Sequence, residues 1–131
     1  MPWNLTDKEY ESVSALGDDK RYDYFISRVA DTEKVWGLQA GDGNWAYATD
    51  EDGTEVIPVW PHERYAEAAA DGPWADDSPS PIALDAWLER WLPGLERDGR
   101  EIAVFPTGDG AGVRVTPERL RHDLEEGLKQ Y

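Results

Sequence analysis

The spacing of apolar positions predicts two helices at the start of the chain. The first begins after Thr6, a capping residue with a glutamate three positions later, and ends near Gly17. The second covers about residues 19–30, where apolar side chains recur at the i, i+3, i+4, i+7 spacing of one helical face. Both segments are therefore amphipathic helices with one side buried.

The pattern then changes to short alternating segments that predict three strands, at 35–38, 44–49 and 55–60. The Asp52-Gly53 dipeptide between the last two is a strong hairpin signal, and we expect the three to form an antiparallel meander. Pro58 has no N–H for a sheet ladder, so the third strand should lie at an edge or be bulged there.

Helical spacing returns after the third strand. A helix begins near Pro61, and residues 73–81, rich in Pro, Ser and Asp, are predicted to form an exposed loop. Another amphipathic helix starts at about Ile82 and should be kinked or restarted at Pro93-Gly94. Both helices offer an apolar face to the strands.

The remaining elements complete the fold prediction. Residues 101–106 and 113–115 form strands joined by a turn at 108–112, and a last helix begins after Thr116. The order is ααβββααββα, with strands in hairpin groups. We therefore expect one α+β domain over residues 1–131, with a mostly antiparallel sheet of about five strands and helices packed on it.

Composition limits the class of protein. The chain has 131 residues, seven tryptophans and no cysteine, so it can bury a core but has no disulfide or thiolate metal site. The N-terminus shows no signal-peptide pattern, and no stretch approaches the ~20 apolar residues of a membrane span. We expect a soluble cytoplasmic protein with no cofactor.

Charge is the strongest compositional feature. Asp and Glu total 28 against 13 Lys and Arg, a formal net charge of −15. Such a surface disfavours binding to nucleic acid or to an anionic membrane. It would attract a basic partner protein, although solvation of the surface explains the same charge and is the simpler interpretation.

One histidine stands where a strand ends and a helix begins. His62 follows Trp60 and precedes Glu63, which could orient or charge the imidazole at a small-molecule or catalytic site. The simpler interpretation is that His62 caps the helix, since one histidine without a Cys, Ser or second His defines no catalytic set. No residues have the spacing of a metal site.

Tryptophans supply the other candidate binding residues. Trp36, Trp45 and Trp60 fall one on each strand of the proposed meander, so they could line one face together. That face is either a binding platform or, as periodic aromatics usually are, part of the core. Trp74, in the polar loop, should be partly exposed.

Five motifs occur in sequence order along the chain: Val35–Leu38, Pro58–His62, Trp91–Leu95, Val104–Thr107 and Val115–Glu118. Together they resemble the family catalogued as domain of unknown function 2750. The resemblance runs from about Tyr24 to the C-terminus, and the family has no assigned activity, cofactor or catalytic residues. It implies one bacterial domain of similar size and acidity, and it supplies no site.

Two functions of different classes follow. The first is a non-catalytic protein-binding domain, immunity-like or regulatory, that caps a basic partner. The alternative is a small-molecule-binding protein or enzyme with a site near Trp60, His62 and Glu63. Across the two hypotheses the candidate binding residues are Trp36, Trp45, Trp60, His62, Glu63 and Trp74.

Overall fold

The computed structural model describes residues 5–70, 72–107 and 112–129. Helices alternate with groups of short strands along these residues, as the sequence pattern predicts. The helices are α1 (Asp7–Ser14), α2 (Asp18–Thr32), α3 (Glu63–Ala68), α4 (Leu84–Ala86), α5 (Leu92–Arg97) and α6 (Pro117–Leu128). The strands are β1 (Lys34–Gln39), β2 (Ala48–Thr49), β3 (Glu55–Val59), β4 (Ser78–Ala83), β5 (Glu101–Val104) and β6 (Val113–Val115).

The helix starts follow the capping signals of the sequence. Thr6 Oγ1 accepts the Glu9 N–H at 3.1 Å, and Thr116 Oγ1 accepts the Arg119 N–H at 3.2 Å. The Glu9 carboxylate does not complete a capping box, because it accepts a hydrogen bond from the Tyr24 hydroxyl instead. Gly17 serves as the N-cap of α2.

Four strands form a mixed sheet in the order β2-β3-β5-β6. The central pair, β3 and β5, is parallel, whereas β2–β3 and β5–β6 are antiparallel. β1 pairs antiparallel with β4 in a second, two-stranded sheet. Three of the four ladders among the described residues are antiparallel, and the α+β class is confirmed.

The predicted three-stranded meander is only partly formed. β1 meets the 44–49 segment at a single bridge between Gln39 and Trp45, and it meets the end of β3 at a bridge between Trp36 and Trp60. The Trp36–Trp60 bridge has N···O distances of 2.9 and 2.8 Å. Along its length β1 pairs with β4 instead, so the main partner of β1 is distant in sequence.

β4 corrects the prediction of an exposed loop over residues 73–81. Pro79 and Pro81 lie opposite Leu38 and Trp36 of β1. Trp36 directs its N–H and C=O to Trp60, on the side away from β4. At Pro79 and Pro81, β1 therefore presents no backbone group that needs an N–H donor from β4. For this reason one strand can contain two prolines.

Pro58 is accommodated in a similar way, although β3 is not an edge strand. β3 lies between β2 and β5, but β2 pairs only with Glu55 and Val56. Val59 directs its carbonyl to β5, where it accepts the Phe105 N–H at 2.8 Å. Because backbone groups alternate along a strand, the Pro58 nitrogen faces the other side, beyond the end of β2.

The predicted interruption at Pro93 is a wide helical turn. Residues Trp87–Trp91 are π-helical, and the Leu92 N–H bonds the Trp87 carbonyl five residues back. The turn lies directly ahead of Pro93 and lets α4 continue into α5. Among the described residues, no helix combines the length and apolar character needed to cross a membrane.

One hydrophobic core joins the sheet to the helices. The predicted turn at 108–112 lies outside the described residues except for Gly112. The largest fully buried side chains come from the residue after β3, the π turn, α2 and the residue after β5. They are Trp60, Trp87, Phe25 and Phe105.

Candidate functional site

The three residues predicted to form a site at the end of β3 lie in three different local environments. Trp60 is fully buried, and its indole N–H donates to the Pro106 carbonyl at 2.8 Å. His62 is the N-cap of α3, and its Nδ1 accepts the Arg64 N–H at 3.1 Å. Glu63 is exposed in the first turn of that helix. The local geometry is that of a capped helix start.

The tryptophans fall on two faces rather than one. Trp36 and Trp60 are bridge partners, so their side chains share a face, and Trp74 packs edge-on against Trp60 at 6.4 Å between ring centroids. Trp45 lies against the opposite face of β1. Gly37, the residue after Trp36, faces that side, and a Cβ at Gly37 would stand 3.1 Å from the Trp45 ring. Trp36, Trp45 and Trp74 are all partly buried.

Trp45 belongs to an aromatic groove that the sequence pattern did not indicate. Trp91, at the end of the π turn, packs edge-on against it at 4.9 Å. Tyr47, 52% exposed, lines the same groove, whose volume is about 430 Å³. Arg100 and Glu55 form an ion pair of 2.8 Å at its border. From the sequence, Trp91 belongs to the apolar face of an amphipathic helix, a position that predicts only burial.

A second groove of about 650 Å³ runs between α2 and α6. Its floor is apolar, formed by Ile26, Val113 and Gly127. The two helices approach closely there, because a Cβ at Gly127 would lie 2.9 Å from Ile26 Cγ2. Its rims carry four carboxylates and one guanidinium, from Asp19, Asp23, Asp123, Glu126 and Arg119.

Asp123 is the fixed acid of the α2–α6 groove. It accepts a hydrogen bond from the buried Tyr22 hydroxyl, and Arg119 Nε lies 3.6 Å from it. Burial, together with the bond to Asp123, raises the pKa of Tyr22 well above its usual value. The Tyr22 hydroxyl donates to the Asp123 carboxylate and holds it in place.

The other three acids of the groove are exposed. Glu126 pairs with Lys129 at 3.1 Å. Asp19 accepts the Lys20 N–H, and neither Asp19 nor Asp23 has an ion-pair partner among the residues that the structure describes. Asp19 and Asp23 both belong to α2, and the tertiary packing brings α6 beside them.

Within the described ranges, no three His, Asp or Glu side chains are grouped so that they could hold a metal ion. The Asp50–Gly53 segment is a hairpin turn in which Asp50 accepts backbone N–H groups from Asp52 and Thr54. Its carboxylate also pairs with Arg114 at 2.5 Å. The acids of this turn therefore serve the hairpin.

The fold and its surface define a small acidic α+β domain with a mixed central sheet and open grooves. The family model for proteins of unknown function designated DUF2750 matches residues 22–124, and the chain belongs to that family. The matched range holds β1–β6 and the aromatic groove at Trp45, and it ends within α6. A comparison with curated proteins finds no match.

Proposed function

We propose that this chain is a non-catalytic, cytoplasmic protein-binding domain of bacteria, immunity-like or regulatory, whose α2–α6 groove receives a basic segment of its partner. The observation that carries the proposal is the make-up of that groove. Acidic rims on two helices enclose an apolar floor. Protein interfaces commonly combine an apolar centre with a polar border.

A basic segment suits both parts of the groove. Lysine and arginine have apolar stems that can lie along Ile26 and Val113, while their charged heads reach the rim carboxylates. Complementary charge of this kind speeds association and selects the partner more than it strengthens the complex. The net charge of −15 adds long-range attraction for the same partner.

Two of the rim acids are available to a partner, whereas several other surface acids are already paired. Asp50 and Glu101 are both engaged by Arg114, and Glu55 is engaged by Arg100. In contrast, the carboxylates of Asp19 and Asp23 stand exposed without a cation among the described residues. A partner's basic side chains could pair with them without displacing an existing ion pair.

The alternative, a small-molecule or catalytic site made by Trp60, His62 and Glu63, has less support. One of these side chains is in the core, one caps a helix and one is in solvent. Neither of the two grooves is lined by a described residue of this set.

Site-specific photo-crosslinking in the host cell tests the proposal. A photoreactive residue replaces Ser27, which is exposed in the groove, and in a control it replaces Glu96, exposed on α5. We expect one basic protein to cross-link from position 27 and not from position 96. The same products from both positions, or none from position 27, would overturn the proposal.

A further inference from the structure

A separate cavity of about 210 Å³ lies at the carboxyl ends of the parallel strands β3 and β5. Its walls come from α1, from α3, which follows β3, and from the segment that follows β5. The carboxyl ends of adjacent parallel strands are a frequent location of ligand sites in open sheets. This cavity shares no lining residue with the α2–α6 groove.

Hydroxyl groups dominate the polar part of the cavity. The wall includes four residues that carry a hydroxyl, Tyr10, Ser14, Tyr65 and Thr107, and none of the described residues that line it is charged. Hydroxyls both donate and accept hydrogen bonds, so they match a ligand that does the same. A charged ligand would find no countercharge among these side chains.

The side-chain hydroxyl of Thr107 is unpaired within the part of the chain that the structure describes. Its Oγ1 is buried and has no hydrogen-bond partner among the residues the structure describes. Ligand binding at this hydroxyl requires a change of Thr107 χ1 to a staggered rotamer in which the hydroxyl faces the cavity. A ligand that accepted this hydrogen bond would remove the penalty of an unpaired buried hydroxyl.

The backbone that carries Thr107 is held in an unusual conformation. Phe105 is fully buried with a φ of +60°, in the left-handed region that bulky residues rarely adopt. The Pro106 carbonyl is fixed by the Trp60 indole. Strain that the surrounding structure enforces is common where a side chain is positioned for a ligand.

The aromatic rings of the cavity are already engaged by one another. Tyr10 and Tyr65 stack with centroids 5.3 Å apart, and the Arg64 guanidinium lies 4.3 Å from the Tyr10 centroid. Tyr65 also meets Phe105 at 4.6 Å and Tyr24 edge-on at 6.2 Å. A flat base has no free ring to stack on, so hydrogen bonding must select the ligand.

We infer that this cavity binds a small, neutral, polyhydroxylated molecule of monosaccharide size. Its volume equals that of about seven water molecules at ~30 Å³ each. The hydroxyls of Ser14, Thr107 and Tyr10 would pair with the ligand's hydroxyls, while Pro106 and Ala69 contact its carbon face. This site is independent of the protein-binding groove.

Titration of the full chain, followed by amide chemical shifts, tests the inference. The probes are glucose, galactose, ribose and myo-inositol, with glucose 6-phosphate and adenosine as charged and flat comparisons. At least one neutral probe should shift the amides of Ser14 and Thr107 in a saturable way. No saturable shift there with any neutral probe, or tighter binding of glucose 6-phosphate or adenosine, would overturn the inference.

Three variants locate the effect. Thr107→Val keeps the shape of the side chain and should weaken binding by roughly threefold to tenfold, because one hydrogen bond is lost. Ala69→Leu should fill the cavity and abolish binding, and Ser14→Ala serves if either variant fails to fold. Thr49→Val, on the exposed edge of β2, is the matched control and should leave binding unchanged. An equal loss of binding in Thr49→Val would contradict the location of the site.

Discussion

The indole N–H of Trp60 donates a 2.8 Å hydrogen bond to the carbonyl oxygen of Pro106, 46 residues further along the chain. This bond joins the ends of the two parallel strands, because Trp60 directly follows β3 and Pro106 lies just after β5. It also fixes the segment in which Phe105 has a positive φ. One buried side chain thus connects the core to the strand-end cavity.

Removal of this hydrogen bond should destabilise the fold. Trp60→Phe leaves the Pro106 carbonyl without its donor and opens space in the core where Trp60 is fully buried. We expect the free energy of unfolding to fall by about 2–4 kcal/mol. Urea denaturation monitored by circular dichroism measures the change.

The matched control is Trp74→Phe. Trp74 touches Trp60 edge-on but is only partly buried. Trp74→Phe should lower the free energy of unfolding by about 1 kcal/mol or less. If both variants lost the same stability, the Trp60–Pro106 bond would have no special role.

The local elements could be predicted from the sequence, because their signals are local. Thr6 and Thr116 cap helices as expected, and α2 ends at Thr32, close to the expected boundary. The parallel β3–β5 pair was not predicted, since α3, β4, α4 and α5 separate its strands. Strand β4 was missed because prolines at 79 and 81 usually mark a loop. Only the register with β1 makes them acceptable.

The candidate sites were predictable only in part. The acidity of α2 is visible in the sequence, but the groove exists because Gly127 lets α6 approach Ile26. Likewise, the sequence grouped Trp45 with Trp36, whereas the fold turns it to the other face beside Trp91. Sites assembled from distant elements depend on tertiary packing, which local patterns do not specify.

Gly37 leaves little room for a side chain. Its ideal Cβ would lie 3.1 Å from the Trp45 ring, so in Gly37→Ala that ring must shift by a few tenths of an ångström against Trp91. We expect a loss of about 1–3 kcal/mol in the free energy of unfolding.

Gly41→Ala is the control for Gly37→Ala, since nothing lies within 4 Å of its added Cβ. It should leave stability unchanged or raise it by up to about 1 kcal/mol. Thermal denaturation of the two variants side by side distinguishes crowding from a general effect of glycine. Equal changes in both would contradict the crowding at Trp45.

Glu33 offers a stabilising substitution. It ends α2 with a φ of +60°, a conformation that favours glycine. We expect Glu33→Gly to be more stable than Glu33→Ala by about 1 kcal/mol, because alanine keeps a Cβ in the left-handed region. Both variants remove the same charge, so their difference in denaturant midpoint isolates the backbone. An alanine variant as stable as the glycine variant would contradict this.

Two buried tyrosines, Tyr22 and Tyr65, and the partly buried Tyr24 predict a loss of stability in alkali. Burial raises the pKa of Tyr65 to about 12 and, with hydrogen bonds to acids, raises the pKa of Tyr22 and Tyr24 further. Their folded-state pKa values lie above that of about 10 in the unfolded chain. Their contribution is therefore complete below about pH 10 and is lost as the pH rises toward the folded-state values.

Urea denaturation across this alkaline range checks the expectation, and tyrosinate absorbance follows ionisation directly. The free energy of unfolding should fall as pH rises above about 10. Tyr24→Phe removes one of the three groups and should make the fall shallower. A free energy that stayed flat from about pH 10 to 12 would contradict the burial of these hydroxyls.

The central claim is that the carboxylates of the α2–α6 groove, and not the net charge alone, receive a basic partner. The most direct test measures the association rate of the cross-linked partner against salt concentration. Two triple variants remove equal charge, one from the groove and one from exposed positions elsewhere. They are Asp19→Asn/Asp23→Asn/Glu126→Gln and Glu51→Gln/Glu89→Gln/Glu96→Gln.

The groove variant should slow association roughly tenfold at low salt and flatten the salt dependence. The control variant should change both far less. Equal slowing by the two variants would contradict the claim, because it would mean that the partner responds to the total charge of the domain.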